Sequence, residues 1–207
     1  YKVYANGIIK VNNRFVAEGT ETPMIPRVGL RMQLSETLTN LTYYGRGPEE
    51  NYRDRRTSQF IGEYTTPIKD LYEPYIRPQE NEHRTDIYWC ALTNKQKGGL
   101  LFIADRTFEL NASNYPLGSL DSGETIDNGA PRTANTNHRH LTDPQPEKMV
   151  DMFIDYRMMG VGGDNSWGAM AHEPYLIRPG VENAIEYGFS IVPFDKKTDY
   201  KNLIYQY

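Results

Sequence analysis

Cysteine occurs once in the 207 residues, at Cys90, so no internal disulfide can staple the fold. Long apolar runs are missing: no stretch approaches the roughly 20 residues of a membrane span. A basic excess is missing too. Lys and Arg number 23 against 27 Asp and Glu, giving a formal charge of −4. The arginines form only small local groups such as Arg53, Arg55 and Arg56, and a nucleic-acid binder usually shows a net basic face, so that class is disfavoured. No signal-peptide pattern is present. The chain opens on Tyr1-Lys2-Val3-Tyr4, which already reads as a strand. The expectation is an excised piece of a longer, soluble polypeptide whose compartment, cytoplasmic or exported, stays open.

Helical spacing is scarce as well, and what replaces it is β-like. Tyrosine appears 16 times, glycine 17 and proline 13, a mix that suits strands and turns. Val28, Leu30, Met32 and Leu34 alternate with Gly29, Arg31, Gln33 and Ser35, the period of a half-buried strand. Ile87, Trp89 and Ala91 alternate with residues nearly as apolar, which suits a strand covered on both sides. The run after Gly98-Gly99 reads as an inner strand. Val150, Met152, Ile154, Tyr156 and Met158 form one strand face, and Ile185, Tyr187, Phe189 and Ile191 another. A short helical turn is expected somewhere in 53–63, and a short strand start at Glu109 to Ser113. Strands at short intervals with turn signals between them indicate an all-β sandwich or barrel, here taken as one domain over 1–207.

Chemistry of the chain's own is harder to find. His138 and His140 flank Arg139 and would point the same way on a strand. No third ligand stands at a known metal spacing, and a satisfied structural pair or a polar patch is the favoured reading. Glu49, Glu50 and Asp54 cluster in one stretch, and Glu80 and Glu82 in another. Glycoside hydrolysis needs two carboxylates across a sugar, but the neighbouring Arg53, Arg55 and Arg56 give a plainer reading, a salt-bridged turn holding a strand corner. No phosphate loop or serine-nucleophile elbow occurs.

Several stretches, in order, carry a resemblance. "YYGRGPEENYRDR" from Tyr43 to Arg55, "LYEPYIRPQENEHR" from Leu71 to Arg84, "FELNASNY" from Phe108 to Tyr115, "HRHL" and "MGVGGDNSW" from Met159 to Trp167 resemble motifs of the C-terminal, small-chain domain of family-two glycoside hydrolases, the large β-galactosidases. The likeness spans roughly Arg27 to Phe194. It implies a large antiparallel two-sheet super-sandwich related to galactose mutarotase. It also implies that the catalytic glutamates, with the Mg and Na that such enzymes commonly use, lie on a TIM barrel absent here. Catalytic and metal residues in this chain are then none, and the isolated fragment is expected to be inactive. The partners implied are the parent's other domains, a β-galactoside substrate and a possible homo-oligomer. The alternative is a stand-alone carbohydrate-binding or aldose mutarotase-type domain.

The last motif raises a physical question, because a large aromatic sits on a flexible, glycine-rich loop. Either the ring plugs a core or it is offered outward. The resemblance implies the second: Trp167 lines the subsite for the leaving sugar or acceptor. Gly162 and Gly163 would let the loop turn, while Asp164, by bonding nearby backbone, and Ser166 would support it. Trp167 should then be partly exposed in this chain, or its loop mobile.

Overall fold

The computed structural model describes residues 1–18, 23–120, 126–127, 130–131, 140–165, 167–179 and 184–207. The strands are β1 (Lys2–Val3), β2 (Ile9–Phe15), β3 (Arg27–Ser35), β4 (Leu38–Gly47), β5 (Phe60–Pro67), β6 (Arg84–Asn94), β7 (Gly99–Ser113), β8 (Ile126–Asp127), β9 (Ala130–Pro131), β10 (Met149–Met158) and β11 (Ile185–Phe194). Two single-turn α-helices, α1 (Leu117–Leu120) and α2 (Tyr200–Leu203), and two 3-10 turns, Ile68–Asp70 and Glu173–Tyr175, complete the described elements. Apart from the small β8–β9 ribbon, the strands join one nine-stranded sheet in which every pairing is antiparallel.

The spine is β7, 15 residues long. One edge pairs with β6, which leads to β4 and β5. The other edge forks. Gly99 to Ala104 pair with β11, which carries β2 and β1. Glu109 to Ser113 pair instead with β10, which carries β3. Neither arm takes the edge of Asp105 to Thr107 between them. Side chains from both arms and the stem meet in one core: Val11 and Phe189, Val150, Met152 and Ile154, Leu41, Tyr43, Phe102 and Leu110. A smaller cluster on the opposite face of the sheet joins Trp89, Leu101, Val192 and Phe194, with Tyr200 and Leu203 of α2 packed on it. Two apolar faces on one antiparallel framework agree with the all-β sandwich expected from the sequence. Each fully buried Leu, Ile or Phe in this framework contributes roughly 1.5–3 kcal/mol to folding.

The alternation in β3 is as expected, with Val28 buried, Leu30, Met32 and Leu34 packed on the core, and the intervening residues exposed. In β6 the period breaks. Ile87 faces the main core, whereas Trp89 and Ala91 face the smaller cluster. A bulge between Ile87 and Trp89 puts two successive residues on one side and flips the pattern. Two expectations change. Residues 53–59 form turns closed by a bridge between Tyr52 and Arg55, not a helix, and β5 begins at Phe60. Glu109 to Ser113 are the end of β7 rather than a new strand.

Candidate functional site

At the far end of β7 two signature stretches fold into one polar knot. Asn51 is fully buried and uses its whole amide: Nδ2 donates to the Arg46 and Glu49 carbonyls, and Oδ1 accepts from the Thr85 amide and hydroxyl. Four bonds in one buried place suit the amide of an Asn. Tyr52 donates its hydroxyl to Glu80 Oε2 at 2.6 Å and stacks on His83. Glu50 accepts from Arg55, from the Tyr75 hydroxyl and from the Glu82 amide. Of the acidic groups singled out from the sequence, Glu50, Glu80 and Asp54 are thus saturated by internal donors, while Glu49 is exposed. The corner is salt-bridged as expected in part only. Arg55 pairs with Glu50, but Arg53 reaches Glu109 on β7 and Arg56 reaches Asp86 on β6.

His83 lies at the centre, wholly buried. Its Nδ1 meets Asn111 Oδ1 at 2.7 Å and its Nε2 meets Glu109 Oε2 at 3.0 Å. Asn111 Nδ2 donates to Glu80 and to the Asn81 carbonyl, so Oδ1 is the acceptor and Nδ1 carries a proton. Both partners of the ring are therefore acceptors, and the ring is an imidazolium. Burial alone would lower its pKa, but the hydrogen bond and charge of Glu109 outweigh that and raise it. Burial would likewise raise Glu109, yet His83 and Arg53 hold it below the usual carboxylate range. Nearby, burial pushes Asp155 up to about 7 and Glu82 up to about 8. Arg27 Nε stands 3.0 Å from Asp155 Oδ2, but the two are not aligned for a hydrogen bond.

The tryptophan loop rises beside this knot. Trp167 is 94% exposed, whereas Trp89 is 7% exposed. Val161 and Met170, also exposed, flank it. The loop's entry is fixed amide by amide. Met158 N donates to Glu109 Oε2 at 2.6 Å, Met159 N to the Pro26 carbonyl at 2.9 Å and Gly160 N to the Tyr175 carbonyl at 2.8 Å. Val161 N and Gly162 N then donate to Asp54 Oδ1 and Oδ2 at 3.2 and 2.7 Å. Among the described residues Asp164 accepts from no backbone amide. It pairs with His172 Nε2 at 2.8 Å across the loop, and Asn165 Oδ1 accepts the Trp167 amide at 2.8 Å. The backbone-holding role falls to Asp54. Glycine is required for space: a Cβ on Gly160 would stand 2.5 Å from Asp54 Oδ2, and one on Gly163 would collide with the Ala169 carbonyl. Left-handed backbone occurs at Gly168, φ +95°, and not at Gly162 or Gly163. Ser166 and His138 lie outside the described residues. His140 is exposed, its amide donating to Asp143.

Among the described residues no group of three or more His, Cys, Asp or Glu is placed to hold a metal ion. No helix among them is long and apolar enough to cross a membrane. A cleft of about 1270 Å3 opens where the sheet forks and is lined by Arg53, Arg106, Tyr156, Arg157 and Tyr187 among others, without Trp167.

The family model described as "Beta galactosidase small chain" matches residues 1–191. A β-galactosidase of Priestia megaterium (strain DSM 319 / IMG 1521) is 33% identical over 177 residues, 86% of this chain and 16% of that protein. One from Streptococcus thermophilus is 31% identical over 156 residues, 75% of this chain and 14% of that protein. One from Lactococcus lactis subsp. lactis (strain IL1403) is 32% identical over 185 residues, 87% of this chain and 16% of that protein. The chain thus spans about a sixth of the length of the curated relatives it matches.

Proposed function

The chain belongs to the β-galactosidase small-chain family, and from that footing we propose that it serves a retaining β-galactosidase by completing the aglycone side of the active site. The single observation that carries this reading is the exposure of Trp167 on a loop whose base is fixed. A buried aromatic would be core. An indole held 94% exposed on a pinned loop offers a flat apolar face, which suits the C–H face of a sugar while polar groups at the edge meet its hydroxyls. In this reading Trp167 binds the leaving sugar, or the acceptor in transfer. Gly162, Gly163, Asp164 and Ser166 support it. The catalytic glutamates, with their Mg and Na, lie in other domains of the parent, against which this domain packs.

The saturation of Glu50 and Glu80 by internal donors supports a chain without its own catalytic pair. The test compares the 207-residue chain with the full-length polypeptide on a chromogenic β-galactoside. The reading expects turnover only from the full-length protein. Turnover by the chain at the full-length rate would overturn it.

A further inference from the structure

Among the acidic side chains of the first signature stretch, Asp54 alone reaches the described residues of the Trp167 loop. It bridges two successive amides with its two oxygens, at 3.2 Å to Val161 and 2.7 Å to Gly162. Such charge-assisted bonds are stronger and more directional than neutral ones. Asp54 itself stands on a post. Tyr52 and Arg55 exchange backbone hydrogen bonds around it at 3.1 and 2.8 Å. Arg53 ties the turn to β7 through Glu109, and Arg56 ties it to β6 through Asp86. Glu109 takes the Met158 amide as well, so one carboxylate joins the Asp54 turn to the strand end that launches the loop. Gly160 lets the backbone come this close, because any Cβ there would press on Asp54.

We propose that Asp54 is the positioning residue of the Trp167 loop: by fixing the Val161 and Gly162 amides it sets where the ring stands, and so how tightly an aglycone or acceptor sugar is held. This rests on the aglycone reading of Trp167. Asp54 touches no substrate. Its two carboxylate oxygens are taken by the loop amides, and its effect on sugar binding passes through the loop. Removing the carboxylate frees two amides and lets the ring sample positions away from the sugar. An amide in its place keeps one acceptor oxygen and should keep part of the effect.

The test uses the full-length polypeptide carrying Asp54→Ala, Asp54→Asn, Trp167→Ala or the pair Asp54→Ala with Trp167→Ala. Hydrogen exchange reads the Val161 and Gly162 amides. Kinetics compare lactose with an aryl β-galactoside bearing a good leaving group, with glucose as added acceptor. Asp54→Ala should speed exchange at both amides by about tenfold or more, the scale expected for losing a charged hydrogen bond. It should raise KM for lactose and weaken glucose as acceptor severalfold, with kcat on the aryl substrate kept, which also shows that the protein folds. Asp54→Asn should fall between. The double variant should match Trp167→Ala alone. Unchanged exchange in Asp54→Ala overturns the proposal whatever the kinetics. If Trp167→Ala weakens lactose and glucose but Asp54→Ala does not, Asp54 has no positioning role and the aglycone reading stands. If Trp167→Ala changes neither, the aglycone reading fails, and the proposal with it, even where exchange responds.

Discussion

Gly162 N donates to Asp54 Oδ2 at 2.7 Å across 108 positions of sequence. That bond joins two stretches of unlike composition: an acidic, arginine-rich turn and a glycine-rich loop. The turn supplies a fixed carboxylate, and the loop supplies the Val161 and Gly162 amides, which Gly160 lets approach it. The exposed indole at the tip inherits its position from this join.

Replacing Gly160 should show how tight the join is. A Cβ at that position stands 2.5 Å from Asp54 Oδ2 and 2.9 Å from Tyr175 Cβ. Gly160→Ala is expected to destabilise the chain by about 1–3 kcal/mol, the usual cost of overpacking, and to speed exchange at Gly162. Urea denaturation with the slope unchanged measures the first, amide exchange the second. An unchanged midpoint together with unchanged exchange would contradict the contact.

His83 should behave as a buried cation. Nitrogen NMR at neutral pH is expected to show both ring nitrogens protonated, because both partners accept. A single neutral tautomer would contradict this. His83→Leu strands Glu109 among Arg53 and the Met158 amide without its main partner. It is expected to cost about 3–5 kcal/mol, as when one half of a buried ion pair is removed, read from chemical denaturation.

Stability should fall as pH rises. Burial pushes Glu82 up to about 8 and Asp155 up to about 7, from ordinary values of 4.5 and 3.8. The folded chain therefore keeps protons that the unfolded chain gives up, and stability is lost as pH climbs from those ordinary values through about 7 to 8. His83, raised above 6.5, acts in the same direction above that pH. Glu109 acts oppositely on the acid side: its contribution is present above 4.5 and is lost as pH falls through its lowered folded value. Thermal midpoints are expected to peak in the mildly acid range and decline toward pH 9. Asp155→Asn should flatten the decline near neutrality. A midpoint that rises steadily from pH 5 to 9 would contradict the assignment.

The two tryptophans should separate cleanly by fluorescence. In Trp89→Phe the remaining Trp167, 94% exposed, is expected to emit like a solvated indole and to quench strongly with acrylamide. In Trp167→Phe the remaining Trp89, packed beside Phe194 and Tyr200, should be shielded. Equal quenching of both variants would contradict the loop geometry.

Much of the fold is readable in the sequence where one face is buried, because period two is then enforced. Val28 to Leu34 and Ile185 to Ile191 are such cases. The bulge at Ile87 to Trp89 is not readable, since both faces of β6 are apolar and nothing in the alternation marks the flip. The polar knot is half legible. Arg27 and Arg31 stand four apart on β3, and Asp151 and Asp155 stand four apart on β10. Antiparallel pairing brings each arginine to one aspartate, at 2.8 Å for Arg31 with Asp151 and 3.0 Å for Arg27 with Asp155. That matched spacing of opposite charges is a signal carried by residue order alone. The role of Asp54 has no local signal, because its partners are backbone amides more than a hundred residues away.

The central claim is that Trp167 is offered to the aglycone. Its most direct test is the ratio of kcat/KM for lactose to that for an aryl β-galactoside, in the full-length polypeptide with and without Trp167→Ala. The account predicts that the ratio falls severalfold, with the aryl substrate little changed. An unchanged ratio would contradict it.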